Sequence, residues 1–197
     1  MTPQAFIFIG RSGCGKGTQV ELLMKALKEK DPSRDILYIQ TGQEFRDFIK
    51  GDKLTQKISK NIYNAGGLQP EFLAAYMWIR QMVDKYVGNQ HLIFDGTPRK
   101  FHEAGVLDSI FGFYDIKIAT VINVDISPEE SLKRLLLRKR LDDDEDNIKK
   151  RMAWYETDVA PAVEYYRTNP RYRFLKIDGE RSVEDIHKDI VNQLDLE

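Results

Sequence analysis

A chain of 197 residues with 42% hydrophobic content is long enough to bury one good core, and a single domain over 1–197 is the expectation. Its formal net charge of −1 argues against a dedicated nucleic-acid or membrane-surface binder, which carries a basic excess, and no apolar run approaches the length of a bilayer span. The one cysteine, Cys14, excludes an intrachain disulfide and a multi-thiolate zinc site. Met1-Thr2-Pro3-Gln4 lacks the charged start of a signal peptide, so a cytoplasmic location is expected.

In chain order, the apolar run Ala5–Ile9 reads as a buried strand. It runs into Gly10-Arg11-Ser12-Gly13-Cys14-Gly15-Lys16-Gly17-Thr18 and then a helical pattern over 18–28. Ile36–Gln40 is a second strand, after which Thr41-Gly42 is placed to cap a helix over 43–50. Leu54–Asn64 reads as a further helix that stops at Gly66-Gly67. Pro70 opens another, with Phe72, Leu73, Tyr76, Met77, Ile79 and Met82 at helical spacing. His91–Asp95 is a third strand ending in an acid, and Gly96-Thr97-Pro98-Arg99 a turn. The fourth strand spans 118–124, and Pro128 starts a helix that runs into Arg138-Lys139-Arg140-Leu141 and an acidic run over 142–146. One continuous helix then sets Ile148, Met152, Tyr155 and Val159 on a single face. A fifth strand over 172–177 and a helix over 183–194 close the chain. Strands alternating with helices imply a central parallel five-stranded sheet in an α/β/α sandwich, with ligands beyond the strands' carboxyl ends.

Strand, glycine-rich turn and helix N-terminus together make a phosphate site. The glycines let backbone N–H groups converge on an anion, and the helix dipole adds positive charge. Lys16 brings a full charge to the phosphates. Gly17 stands where a hydroxyl residue commonly follows the lysine, so Thr18 must supply the oxygen for Mg²⁺. Asp95, at the end of an apolar strand, has the position of an acid that organises the same metal. Cys14 reads as a small residue that fits the loop. Arg46, Arg99, Arg138, Arg140 and Arg151 lie near turns or helix ends, where a guanidinium either holds phosphate or pairs with a carboxylate such as those over 142–146.

The motifs as a set resemble adenylate kinases and their nucleoside-monophosphate kinase relatives from end to end. Gly10-x-x-Gly13-x-Gly15-Lys16-Gly17-Thr18-Gln19 resembles their ATP loop, and Thr41-Gly42-Gln43-Glu44-Phe45-Arg46 the opening of their acceptor lobe. Gly67-Leu68-Gln69-Pro70 is similar to the loop under the acceptor's ribose and base, and Phe94-Asp95-Gly96-Thr97-Pro98-Arg99 to Asp-Gly-Phe/Tyr-Pro-Arg. The segment from Arg138 to Arg151 resembles the mobile lid and the helix after it.

The resemblance implies a P-loop fold with a small helical acceptor lobe at about 41–70 and a minimal lid at about 138–143. It implies reversible transfer of the γ-phosphoryl of Mg·ATP to AMP by a monomeric enzyme, with no structural zinc. Gly13, Cys14, Gly15, Lys16, Gly17 and Thr18 would hold the ATP phosphates, with Thr18 and Asp95 at the metal. Arg138 would touch ATP, and the backbone near Arg181 would border its adenine. Thr41, Gly42, Arg46, Gly67, Leu68, Gln69, Gly96, Arg99 and Glu103 would form the acceptor site. Lys16, Arg99, Arg138, Arg140 and Arg151 would surround the transferring group, with Arg140 and Arg151 also reaching the acceptor.

Three positions depart from the family pattern. Gln43 replaces an aspartate, only Lys139 separates Arg138 from Arg140, and Glu103 replaces a glutamine that reads adenine. An ionised glutamate only accepts hydrogen bonds, which favours a base with two donors, such as guanine, as the alternative acceptor. A P-loop protein that binds nucleotide without catalysis is the other alternative.

Overall fold

The computed structural model describes residues 1–138 and 145–196. Five parallel strands, β1 (Ala5–Ile9), β2 (Ile36–Gln40), β3 (His91–Asp95), β4 (Ala119–Asp125) and β5 (Tyr172–Asp178), lie in the order β2-β3-β1-β4-β5. Every residue of β1 and β3 is buried, as a sheet covered on both faces requires. Side chains alternate between the faces. Phe6 and Phe8 of β1 face α1 (Lys16–Lys30) and α9 (Val183–Gln193), meeting Val20, Leu23, Leu27, Ile186 and Ile190. Ile7 and Ile9 face the opposite layer, α4 (Glu71–Lys85), α5 (Phe101–Phe113) and α8 (Ala160–Thr168), through Trp78, Met82, Leu107, Phe111 and Tyr166.

After β1 the chain moves to one side of the sheet, and after β3 it crosses to the other. The carboxyl ends of β1 and β3 therefore lie side by side where the direction reverses, with Phe8 opposite Asp95. A crevice opens at that reversal, beyond the strand ends. Above it, α2 (Thr41–Phe48) rests on α4 through Phe45, Leu73 and Met77, and α3 (Leu54–Asn64) follows.

Four readings of the sequence are corrected. Thr41 does not cap α2 but is its first residue. Gln40 precedes the helix, and the Thr41 hydroxyl is buried without a partner among the described residues. Residues 101–113, which no strand or helix pattern claimed, form α5. Ala104, Leu107 and Phe111 give it a buried stripe, while exposed Val106 and Phe113 and two glycines blur the periodicity. The helix carrying Ile148 to Val159 is not continuous: α7 (Glu145–Trp154) passes through a π turn (Tyr155–Val159) into α8. Finally, α1 begins at Lys16 rather than Thr18, with Gly15 before it in the left-handed region at φ 95°. The helix after Pro128 is α6 (Pro128–Arg138). The minimal lid expected at about 138–143, Arg138 apart, lies outside the described residues, as does Arg140. No helix among the described residues is long and apolar enough to cross a membrane.

Candidate active site

The phosphate loop is held by close approach. A Cβ on Gly10, whose φ is 144°, would lie 2.3 Å from the Val124 carbonyl oxygen, so only glycine lets the turn leave β1 beside β4. The loop then presents Gly13, Gly15, Lys16, Gly17 and Thr18 to a cleft of about 470 Å³. The Lys16 ammonium donates to the carbonyls of Gly10 (2.8 Å) and Arg11 (2.9 Å). Cys14 is placed differently from its neighbours. Its side chain is buried in the core below the loop, with Sγ 3.3 Å from Lys16 Nζ, and does not line the cleft.

Across the crevice, Asp95 accepts from the Tyr38 hydroxyl at 2.9 Å and from Gln40 Nε2 at 3.4 Å. The parallel register sets Gln40 opposite Asp95, and Tyr38 lies on the same face of β2 two residues earlier. Burial raises the Tyr38 pKa, and the neighbouring Asp95 charge raises it further, so the phenol remains a donor to the carboxylate.

The turn after β3 carries the next cation. Arg99 Nε donates to the Gly96 carbonyl at 2.8 Å, fixing the guanidinium over the turn. Solvent reaches this side chain through the open cleft. Partial desolvation by the cleft walls lowers its pKa, against the pull of Glu103 and Asp95, and Arg151 and Arg46 lower it further. The guanidinium nevertheless stays charged near neutrality. Arg46 is turned by Gln43, whose Oε1 accepts from its Nε (3.0 Å) and Nη2 (2.8 Å). Gln43 itself is exposed and bonded to Asp47, so the missing carboxylate is replaced by an amide that orients an arginine.

Glu103 is 3% exposed and borders the same cleft. One carboxyl oxygen accepts from the Arg99 backbone N–H at 2.9 Å, in the manner of a helix-capping glutamate. Burial pushes its pKa up, and the bond to the Arg99 N–H and the Arg99 charge pull it partly back.

Thr41, Gly42, Arg46, Gly67, Leu68, Gln69, Asp95, Gly96, Arg99, Glu103, Arg138 and Arg151 all line this one cleft with the phosphate loop. The Gln69 amide is already committed to Ser59, donating to its carbonyl (2.9 Å) and accepting from its hydroxyl (2.8 Å), which ties the loop to α3. Arg181 is not brought in. It is held by the Asp178 carbonyl and the Asp189 carboxylate, away from the cleft lining. Sequence reasoning missed Glu21, Gln40, Tyr63, Thr97 and Trp154, which also line the cleft. Of these, Gln40 was signalled by its place at the end of β2, next to the strand that ends in Asp95. Trp154 was hidden by the unforeseen π turn.

Among the described residues there is no group of three or more metal-ligating side chains. One carboxylate and one hydroxyl suit a Mg²⁺ ion that arrives on a nucleotide and draws its other ligands from phosphate and water.

A glycine-rich phosphate loop, a strand-end acid at the sheet's reversal point and converging arginines define a P-loop phosphotransferase of the nucleoside-monophosphate kinase class. The comparisons with known proteins narrow this further. Residues 8–171 match the family model described as Adenylate kinase. An adenylate kinase of Corynebacterium urealyticum is 34% identical over 189 residues, covering 96% of this chain and 98% of that protein. One of Azobacteroides pseudotrichonymphae is 32% identical over 94% of each chain, and one of Flavobacterium psychrophilum 31% identical over 95% of this chain and 98% of the other. The chain belongs to the adenylate kinase family.

Proposed function

We propose that this chain moves the γ-phosphoryl of Mg·ATP directly onto AMP, reversibly and without a phosphoenzyme. The observation that carries this reading is the gathering of Lys16, Arg46, Arg99, Arg138 and Arg151 around one cleft at the sheet's reversal point. Phosphoryl transfer asks the protein for positioned charge rather than covalent chemistry. In this reading the loop over 13–18 holds the ATP phosphates, and Lys16 leaves its loop carbonyls for the β- and γ-oxygens. Asp95, oriented by Tyr38 and Gln40, and Thr18 face the magnesium that ATP brings. Arg46 and Arg99 hold the acceptor phosphate. The acceptor ribose and base lie along Gly67, Leu68 and Glu103, where the orphaned Thr41 hydroxyl gains a partner. Arg138 and Arg151 flank the transferring group and neutralise the charge that spreads over its oxygens. The acceptor lobe over 41–70 closes on the acceptor, and the enzyme works as a monomer.

Glu103 favours a second acceptor. As a carboxylate it accepts from adenine's amine but faces the lone pair of N1, whereas guanine's N1–H and N2–H₂ are both donors. The deciding experiment is an assay of ATP against AMP, GMP, CMP, UMP and dTMP in turn. Turnover greatest with AMP supports the first reading, and a GMP preference the second. Tight nucleotide binding without turnover on any acceptor would leave a non-catalytic nucleotide sensor.

A further inference from the structure

One element reaches from the acceptor side of the cleft to its phosphate side. α7 carries Arg151 and Trp154 into it, and α7 with the π turn is fastened at three places outside it. At the acceptor end, Lys150 Nζ donates 2.7 Å to the carbonyl of Ala65, the residue that ends α3. Gly66, with φ 67°, is pressed so closely on Asn147 that a Cβ there would fall 1.5 Å from its Oδ1. At the phosphate end, the Arg11 guanidinium lies 3.9 Å over the Tyr155 ring and pairs with Glu156 at 2.6 Å. Beside Arg99, Lys100 pairs with Asp158 at 3.5 Å.

The π turn explains how one rod serves both ends. A π turn holds one residue more than an α-helical turn, so it rotates α7 by about 100° relative to α8. Ala162 and Tyr166 stay in the core while Arg151 and Trp154 face the cleft. A recess of about 50 Å³, lined by Gly10, Lys16, Arg99, Arg151 and Tyr155 among others, marks where the rod meets the loop.

Arg11 joins the two. Its carbonyl receives the Lys16 ammonium and its side chain grips the π turn. An arriving phosphate draws Lys16 off the Gly10 and Arg11 carbonyls, which shifts the backbone of the residue that holds α7 and lets its side chain draw the π turn in. We propose that Arg11 and Lys150 are positioning residues that act through α7, so that donor binding at the phosphate loop tightens the end of the acceptor lobe and sets Arg151. The inference rests on the loop's being the donor site.

Hydrogen exchange with the magnesium complex of β,γ-imido-ATP and no acceptor tests it. In the wild type, slowed exchange is expected both at 10–18 and, at a distance, at 60–67. Arg11→Met and Lys150→Met are each expected to keep the protection at 10–18 and to lose about fivefold or more of that at 60–67, the scale of ordinary coupling between sites. Glu156→Gln changes a side chain that is 60% exposed, and gives the same readout should the Arg11 variant fail to fold. Lys150→Arg, which keeps a donor to the Ala65 carbonyl, is expected to restore protection. A wild type protected at 10–18 alone, or variants that keep the protection at 60–67, would overturn the proposal. No protection at 10–18 would instead bring down the donor-site reading, and the coupling with it.

Discussion

At the scale of single residues, Glu103 makes the most specific prediction. A buried acceptor facing the N1 lone pair of adenine is unfavourable by about 1–3 kcal/mol, roughly tenfold to a hundredfold in affinity. A protonated Glu103 removes the clash, since its O–H donates to N1 and its carbonyl accepts from the amine. Burial raises its pKa above the ordinary carboxylate value, so the proton is held further up the pH scale than in an exposed glutamate. As pH rises through that raised pKa the proton is lost, and kcat/KM for AMP is expected to fall relative to GMP. Glu103→Gln is expected to flatten this pH dependence, raise kcat/KM for AMP about tenfold and lower it for GMP. Selectivity unchanged by the substitution at every pH would take Glu103 out of base recognition. The charged side chain was legible in the sequence as a departure from the glutamine of the family. Its bond to the Arg99 N–H was not, because it depends on how the turn at 96–99 enters α5.

At the scale of elements, the π turn carries the argument. Deleting Thr157 shortens it by the residue that distinguishes a π from an α turn. α8 is fixed by Ala162 and Tyr166 in the core, so α7 must rotate, turning Arg151 out of the cleft. kcat is expected to drop by about 10² or more, the loss usual for one preorganised cation, with helix content by circular dichroism nearly unchanged. Activity within a few-fold of wild type would show that Arg151 is not set by this register. Gly66→Ala tests the same helix from the acceptor side. It adds a Cβ against Asn147 at a left-handed φ, and is expected to lower Tm and raise KM for the acceptor more than for ATP. An equal rise in both KM values would deny the link to the acceptor lobe. Helical periodicity set Ile148, Met152, Tyr155 and Val159 on one face, and of these Ile148 and Tyr155 are buried. An inserted residue within a helix leaves almost no trace in composition. For α5 the trace was erased differently, since apolar residues lie on its exposed side as well as its buried one.

At the scale of the whole molecule, the architecture was the most legible part. Apolar runs at 5–9 and 92–94 announce strands buried on both faces, and a parallel sheet leaves one edge for ligands. What the sequence could not supply is the strand order, because β1 pairs with β3 and β4 through contacts 80 residues and more away in the chain. That order sets the phosphate loop beside Asp95 and makes a single cleft of motifs scattered from residue 12 to residue 154. The cleft's chemistry converges on Lys16, the cation at its centre, whose removal leaves the core untouched. The most direct test is therefore the steady-state rate of ADP formation from ATP and AMP by Lys16→Met, with Tm measured alongside. A fall in kcat of about 10² or more at an unchanged Tm is the predicted result. A kcat within a few-fold of wild type would contradict the account.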